Sequence, residues 1–327
     1  MNLYRKLHIS FLLVLLPYLL KSQDSLLAVC THPDSLRNIV AVLASDSLEG
    51  RYTGSPGNEK AALFISNEFK KAGLHPLAGF NGYFMPLGGL GSNVIGAIQG
   101  KSSPGQLVIF SAHYDHIGTH ANTSPRYSVG SAKVEKGDHI FNGANDDASG
   151  VAAVIALGRY FAKQEQPERT ILFIAFTGEE LGLKGSAVAA TIFQPDSIVA
   201  DINIEMIGRP YLANNKPYMT GHAYPELLKL MNKRLYLYNE KKYRRSYIQY
   251  DPFPDQNLFE RSDNYSFAGK GVPAHSVMVS SPLDEFYHNE NDEAGTLDYN
   301  LMSEVIKAIA VGASGLLNGT DSPKRLR

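Results

Sequence analysis

The 327-residue sequence predicts an α/β fold in which a sheet is covered by helices on both faces. Three observations carry that expectation. Short, continuous apolar runs recur, such as 171-ILFIAF-176, and each reads as a strand buried on both sides. Stretches of helical periodicity alternate with these runs along the chain. Polar and charged clusters fall just past the ends of the runs, where open α/β sheets place their ligands.

The elements follow in order. Residues 1–23, MNLYRKLHISFLLVLLPYLLKSQ, set Arg5 and Lys6 before an apolar stretch from Ile9 to Leu20 and a polar end. This is the layout of a secretory signal peptide, with an apolar core short for a membrane span. Export to the periplasm or the medium is expected, without a stable membrane anchor; an uncleaved anchor is the alternative. Residues 55–76 read as a helix with Ala61, Leu63, Phe64, Ile65 and Phe69 on its apolar face, ended by Gly73 and Pro76. Strands are expected at 92–98 and 106–115, a helix at 149–163, and the strand of the opening run after it. A helix near 185–193, a strand within 197–208, a helix at 225–235, a strand at 272–279 and a final helix at 300–319 complete the pattern.

Length alone allows two domains. The polar clusters, however, span 113 to 288 and must converge to act together. A single domain over 24–327 is therefore expected, with long loops at 116–142 and 209–261.

Composition excludes several classes. The chain is 44% hydrophobic and 19% charged with a net charge of −1, which argues against a nucleic-acid or polybasic membrane surface. Its one cysteine, Cys30, permits no intramolecular disulfide and no thiolate-rich zinc site. Val29 before it, and its distance from the apolar stretch, argue against lipid attachment. There is no HExxH and no Gly-x-Ser-x-Gly, and the GKS at 100–102 lacks the upstream glycine of a phosphate loop, since position 95 is Ile95.

The chemistry gathers at strand ends. Glu179 and Glu180 stand side by side after 171-ILFIAF-176, between Gly178 and Gly182. Like charges there repel, and a cation would compensate them, with one carboxylate as ligand and the other free to move protons. Alternatively the pair lies on a solvated turn. In 110-FSAHYDHIG-118, His113 and Asp115 share a strand face, so the carboxylate can accept the second imidazole N–H. The turn 143-GANDDASG-150 holds Asp146 and Asp147; Asp147 or Ser149 could also cap the following helix. Glu205 closes an apolar strand, and His288 lies in 286-FYHNEND-292. Oxygen and imidazole donors suit zinc, and cobalt or manganese less selectively. Five ligands suit two ions sharing one carboxylate.

The motifs AHYDH, GANDDASG, FTGEELGLKGS, ERSDNYSFAGKGVPA and FYHNEND, with LASDSLEGRYTGSPGNEKAA before them, resemble the co-catalytic zinc peptidases of clan MH. That group includes leucyl aminopeptidase, aminopeptidase Y and glutamate carboxypeptidase II. The resemblance covers residues 37–318. It implies a three-layer α/β/α sandwich around a mixed, mostly parallel twisted sheet, two Zn2+ ions per chain, and a peptide or amino-acid-derivative substrate. By position it assigns His113, Asp146, Glu180 and His288 as metal ligands, with Asp146 bridging. It assigns Glu179 as general base, Asp115 as the orienting carboxylate, Tyr287 as the group that steadies the oxyanion, and Arg261 as a substrate-side residue. It implies a cis bond between Asp146 and Asp147. The fourth ligand, usually Asp, falls at Glu205, one methylene longer.

An aminopeptidase is the expected activity. Glutaminyl cyclases share the fold and much of the ligand set but use one zinc; their usual Trp before the last His is Tyr287 here. Di-zinc deacylases of the aminoacylase type tolerate Glu at the fourth position but differ at the bridging segment. An inactive binding protein on the same scaffold would have no need of Glu179.

Overall fold

Four parallel strands form the centre of the computed structural model, which describes residues 24–122, 129–134, 137–211, 215–281 and 283–326. The signal segment expected at 1–23 lies outside them. We label the principal strands β1 (Ser92–Ile98), β2 (Ser103–His113), β3 (Arg169–Phe176), β4 (Ile198–Glu205) and β5 (Ala274–Met278). The helices are α1 (Pro33–Leu43), α2 (Pro56–Ala72), α3 (Ser149–Phe161), α4 (Lys184–Ile192), α5 (Glu226–Tyr238), α6 (Asn264–Ala268) and α7 (Tyr299–Leu317).

Across the sheet the order is β1, β3, β2, β4, β5. Neighbours from β3 to β5 are parallel, and β1 is antiparallel to β3. Short strands at His75–Pro76, Phe84–Pro86, Tyr218–Met219 and Gln249–Tyr250 extend this sheet to nine strands, and Gly118–Thr119 with Ile140–Phe141 form a separate pair among the described residues. The sheet is therefore mixed and mostly parallel.

Alternation along β3 explains the two helix layers. Ile171, Phe173 and Ala175 join one core, which the sheet shares with α1, α2, α3, α5 and α7. Leu172, Ile174 and Phe176 join the other, under α4 and α6. A strand apolar on both faces must be covered on both, so the three layers follow from the run itself. Helix α7 is apolar and long enough to cross a membrane, yet most of it is buried in the first core.

Local signals set the helix ends. Ser55 caps α2 by accepting from the Asn58 N–H at 3.2 Å, Pro56 occupies the first turn, and Gly73 ends the helix at φ 87°. Phe110 of β2 stacks on Phe161 of α3 and on Phe173 of β3, with centroids 5.6 and 5.8 Å apart. All three rings are buried, at about 1.5–3 kcal/mol each. They pin α3 to the sheet. Its first turn presses so close to β4 that a Cβ at Gly150 would lie 2.2 Å from the Ile204 carbonyl oxygen. That contact fixes the Asp146–Asp147 turn over the end of β4.

Candidate active site

Register brings the polar clusters to one edge. His113 ends β2 opposite Phe176 of β3, and Met278 of β5 lies opposite Glu205, the last residue of β4. The loops after these strands supply Glu179, Glu180 and the 286–292 segment. The turn before α3 supplies Asp146, whose peptide bond to Asp147 is cis.

Two sets of donors meet on Asp146. His113 Nε2 lies 3.1 Å from Asp146 Oδ1 and 3.2 Å from Glu205 Oε1. His288 Nε2 lies 3.2 Å from Asp146 Oδ2 and 3.3 Å from Glu180 Oε1. The two carboxylate oxygens of Asp146 are thus divided between the sets. Glu205, despite its longer arm, points at His113 and Asp146, and Ser262 Oγ donates to its other oxygen at 2.6 Å.

A residue that sequence reasoning did not assign joins the second set. His116 is fully buried, with Nδ1 2.9 Å from Glu180 Oε1 and 3.9 Å from Asp146 Oδ2. Its signal was the second histidine of the AHYDH motif. Its donor atom lies with those of Asp146, Glu180 and His288 within 4.8 Å of one another, as do those of His113, Asp146 and Glu205.

These residues fit a metal centre. Neither ring nitrogen of His116 makes a hydrogen bond, nor does Glu180 Oε1, although all three atoms are buried. The atoms approach one another without the alignment of a hydrogen bond, as donors converging on a common cation do. Neighbouring donors of a tetrahedral zinc with bonds of about 2.0–2.1 Å stand about 3.3 Å apart. The separations in the first set, 3.1 and 3.2 Å, fall just short of that value, and those in the second, from 2.9 to 3.9 Å, bracket it.

The electrostatics agree. Burial opposes charge on His288, yet Glu180 and Asp146 raise its imidazole to about 10. Burial likewise opposes ionisation of Glu180, but His288 and His116 bring it down to about 2. Glu179 behaves oppositely: burial, with Glu180, Glu205 and Asp263 near, holds its carboxyl well above the usual range even beside His113. Its affinity for a proton is therefore high.

The supporting contacts differ from the expectation at one point. His113 Nδ1 bonds the backbone carbonyl of Asp115 at 3.1 Å, whereas the Asp115 carboxylate stands 3.9 Å away. The chain leaves the strand at His113, so strand alternation no longer applies at Asp115. The carboxylate instead accepts from the Glu179 and Glu180 N–H groups and from Thr53 Oγ1. Asp115 thus orients the two glutamates through their backbone. Asp147 Oδ1 caps α3 at Gly150 N and also holds Met206 N. Asp292 accepts from Asn145 N and Asp146 N and pairs with Arg209. Arg51, fully buried, donates to the carbonyls of Leu43, Tyr114, Asn142 and Gly143.

Glu179, Glu180, Tyr287, His288 and Arg261 line one cleft, with Met206, Leu258 and Met278 as its apolar wall. Arg261 Nη2 donates to the Tyr287 hydroxyl at 3.2 Å, and the Tyr287 ring stacks on His288. The 116–142 loop clasps this segment: Val129 N bonds His288 O, and Ala132 N bonds Glu285 O.

The sequence model of peptidase family M28 matches residues 93–312. The chain belongs to that family. Among curated proteins, a probable zinc metalloprotease of Phaeosphaeria nodorum (strain SN15) is 34% identical over 119 residues, which are 36% of this M28 chain and 24% of that protein. A probable zinc metalloprotease of Pyricularia oryzae is 35% identical over 119 residues, 36% of this chain and 21% of that one. The chain's match thus spans about a quarter of the length of these curated relatives. Among solved structures, an aminopeptidase from Aneurinibacillus sp. strain AM-1 has a TM-score of 0.64 at 16% identity, covering 93% of this chain and 97% of that one. The LapA aminopeptidase of Legionella pneumophila reaches 0.70 at 17%, covering 91% and 75%. A glutaminyl cyclase of Porphyromonas gingivalis reaches 0.64 at 16%, covering 87% and 98%. At these identities the likeness is one of fold.

Proposed function

We propose that this M28 chain is an exported zinc-dependent aminopeptidase that hydrolyses the N-terminal residue of peptides. The observation that carries the reading is the pair of donor sets divided over the two oxygens of Asp146, with Glu179 in the same cleft. His113, Asp146 and Glu205 would hold one zinc; Asp146, Glu180 and His288 would hold the other, with His116 beside them. When bound, such ions polarise the scissile carbonyl and ease deprotonation of the attacking water.

The chain's own residues do the rest. Glu179 accepts the water's proton at its carboxylate and returns it to the leaving amine. The Tyr287 hydroxyl, held by Arg261, donates to the oxyanion that forms on the carbonyl. Asp115 keeps Glu179 and Glu180 in place through their N–H groups. The apolar wall of Met206, Leu258 and Met278 would receive an uncharged side chain.

The test is a panel of aminoacyl p-nitroanilides, N-terminal glutaminyl peptides and N-acylated amino acids, assayed before and after chelation and zinc return. Zinc-dependent release of p-nitroaniline supports the reading. Cyclisation of glutaminyl peptides with one zinc per chain would establish the cyclase instead. Undiminished hydrolysis after verified metal removal would end the metallopeptidase reading.

A further inference from the structure

We propose that the two donor sets are unequal: His116 is a fourth protein ligand beside Asp146, Glu180 and His288, enclosing that cation, while His113, Asp146 and Glu205 leave theirs open. The proposal rests on the metal-centre reading above.

His116 sits in a seat built by the backbone. Its N–H donates to the Arg51 carbonyl, and residues 52 and 116 form a parallel bridge. Gly143 adopts φ +57°, and a Cβ there would lie 2.5 Å from His116 Cγ. Only glycine admits the ring at that place. The ring meets His288 edge to face at 5.5 Å, so the two imidazoles approach the same carboxylates from different directions.

The ring's chemistry is otherwise unexplained. A buried polar group that makes no hydrogen bond costs about 1–3 kcal/mol, and neither His116 nitrogen makes one, although Nδ1 faces Glu180 Oε1 at 2.9 Å. Its distances of 2.9 and 3.9 Å to Glu180 and Asp146 bracket the edge of a zinc tetrahedron. Binding a cation at Nδ1 satisfies that nitrogen and Glu180 Oε1 together.

The other set offers fewer donors. Glu205 has one oxygen engaged by Ser262, and His113 Nδ1 is engaged by the Asp115 carbonyl. One atom each from His113, Asp146 and Glu205 remains. Sites with four protein ligands are characteristically structural, and those with three keep a place for water or substrate. The His116 side is therefore the retained ion. The His113 side, one protein donor short, is the exchangeable one.

Zinc titration of the metal-free full chain, with X-ray absorption at one equivalent, tests this without reference to catalysis. Two unequal binding events are expected, and the first zinc should show two imidazoles. His116→Gln should leave one imidazole at that zinc. It should weaken the first event at least ~100-fold, beyond the 10–100-fold of an outer partner. If the variant does not fold, the wild-type spectrum at one equivalent still decides. One imidazole in the wild type, or wild-type affinity in a folded His116→Gln, would overturn the proposal. Two equal sites with intact peptidase activity would overturn it alone. Unequal sites without peptidase activity would instead sink the functional reading.

Discussion

Arg51→Met is expected to destabilise the chain by about 3–5 kcal/mol. The guanidinium makes four hydrogen bonds to carbonyls, at 2.6 Å to Leu43 and Asn142, 2.7 Å to Tyr114 and 2.9 Å to Gly143. Bonds from a charged donor contribute about 1.5–3 kcal/mol each, so four amount to about 6–12 kcal/mol. Methionine also relieves the desolvation of a buried cation, an effect of several kcal/mol. Burial already lowers the Arg51 group to about 10, even with Asp292, Asp115 and Asp146 near. The difference of these opposing effects is a large part of a typical stability of about 5–15 kcal/mol. Urea unfolding of metal-free protein, followed by circular dichroism, measures it. Tyr114 and Gly143 flank the residues that position His113, His116 and Asp146, so zinc affinity should fall as well. A variant with the wild-type midpoint and wild-type zinc affinity would refute the reasoning.

Three further outcomes are expected. Glu179→Gln should lower turnover by about 10²–10⁴-fold while retaining metal, and Glu180→Gln should lower metal content; elemental analysis with kinetics would show a reversal if the roles are exchanged. Glu205→Ala should weaken the ion on the His113 side while Glu180 and His288 keep theirs; two tightly held ions and full activity would place Glu205 outside the centre. Asp201 is fully buried, and burial raises its carboxyl to about 8 from 3.8. Because the folded value is the higher one, its contribution to stability is present below about pH 4 and is lost as pH rises toward 8, with a limiting slope of ~1.4 kcal/mol per pH unit. Asp201→Asn should remove that slope, so the variant's advantage in denaturant midpoint should grow from pH 5 to pH 8; parallel profiles would contradict it.

Much of the fold was legible because apolar runs and turn residues carry it locally. The strand Ser92–Ile98 occupies the stretch expected of it, and the Ser55, Pro56 and Gly73 signals bound α2. Helix α1 shows the spacing of Leu36, Ile39, Val40 and Leu43, a helical face that the sequence reading passed over. The residues expected at the site stand together because strand ends gather in a parallel sheet. What escaped depends on contacts distant in sequence. The seat of His116 needs Gly143, and Arg51 binds carbonyls up to 92 residues away. The partner of His113 Nδ1 changes from carboxylate to carbonyl because the backbone turns just past β2. Ser262 reaches Glu205 across 57 residues, a pairing no local pattern announces.

The most direct measurement is an anomalous-difference map at the zinc edge from a crystal of the zinc-loaded chain. Two peaks are expected about 3.5–4 Å apart. One should lie on the Oδ1 side of Asp146 with His113 and Glu205, and the other on the Oδ2 side with Glu180, His288 and His116. A single peak, or peaks that do not share Asp146, would contradict the paired centre on which the function is built.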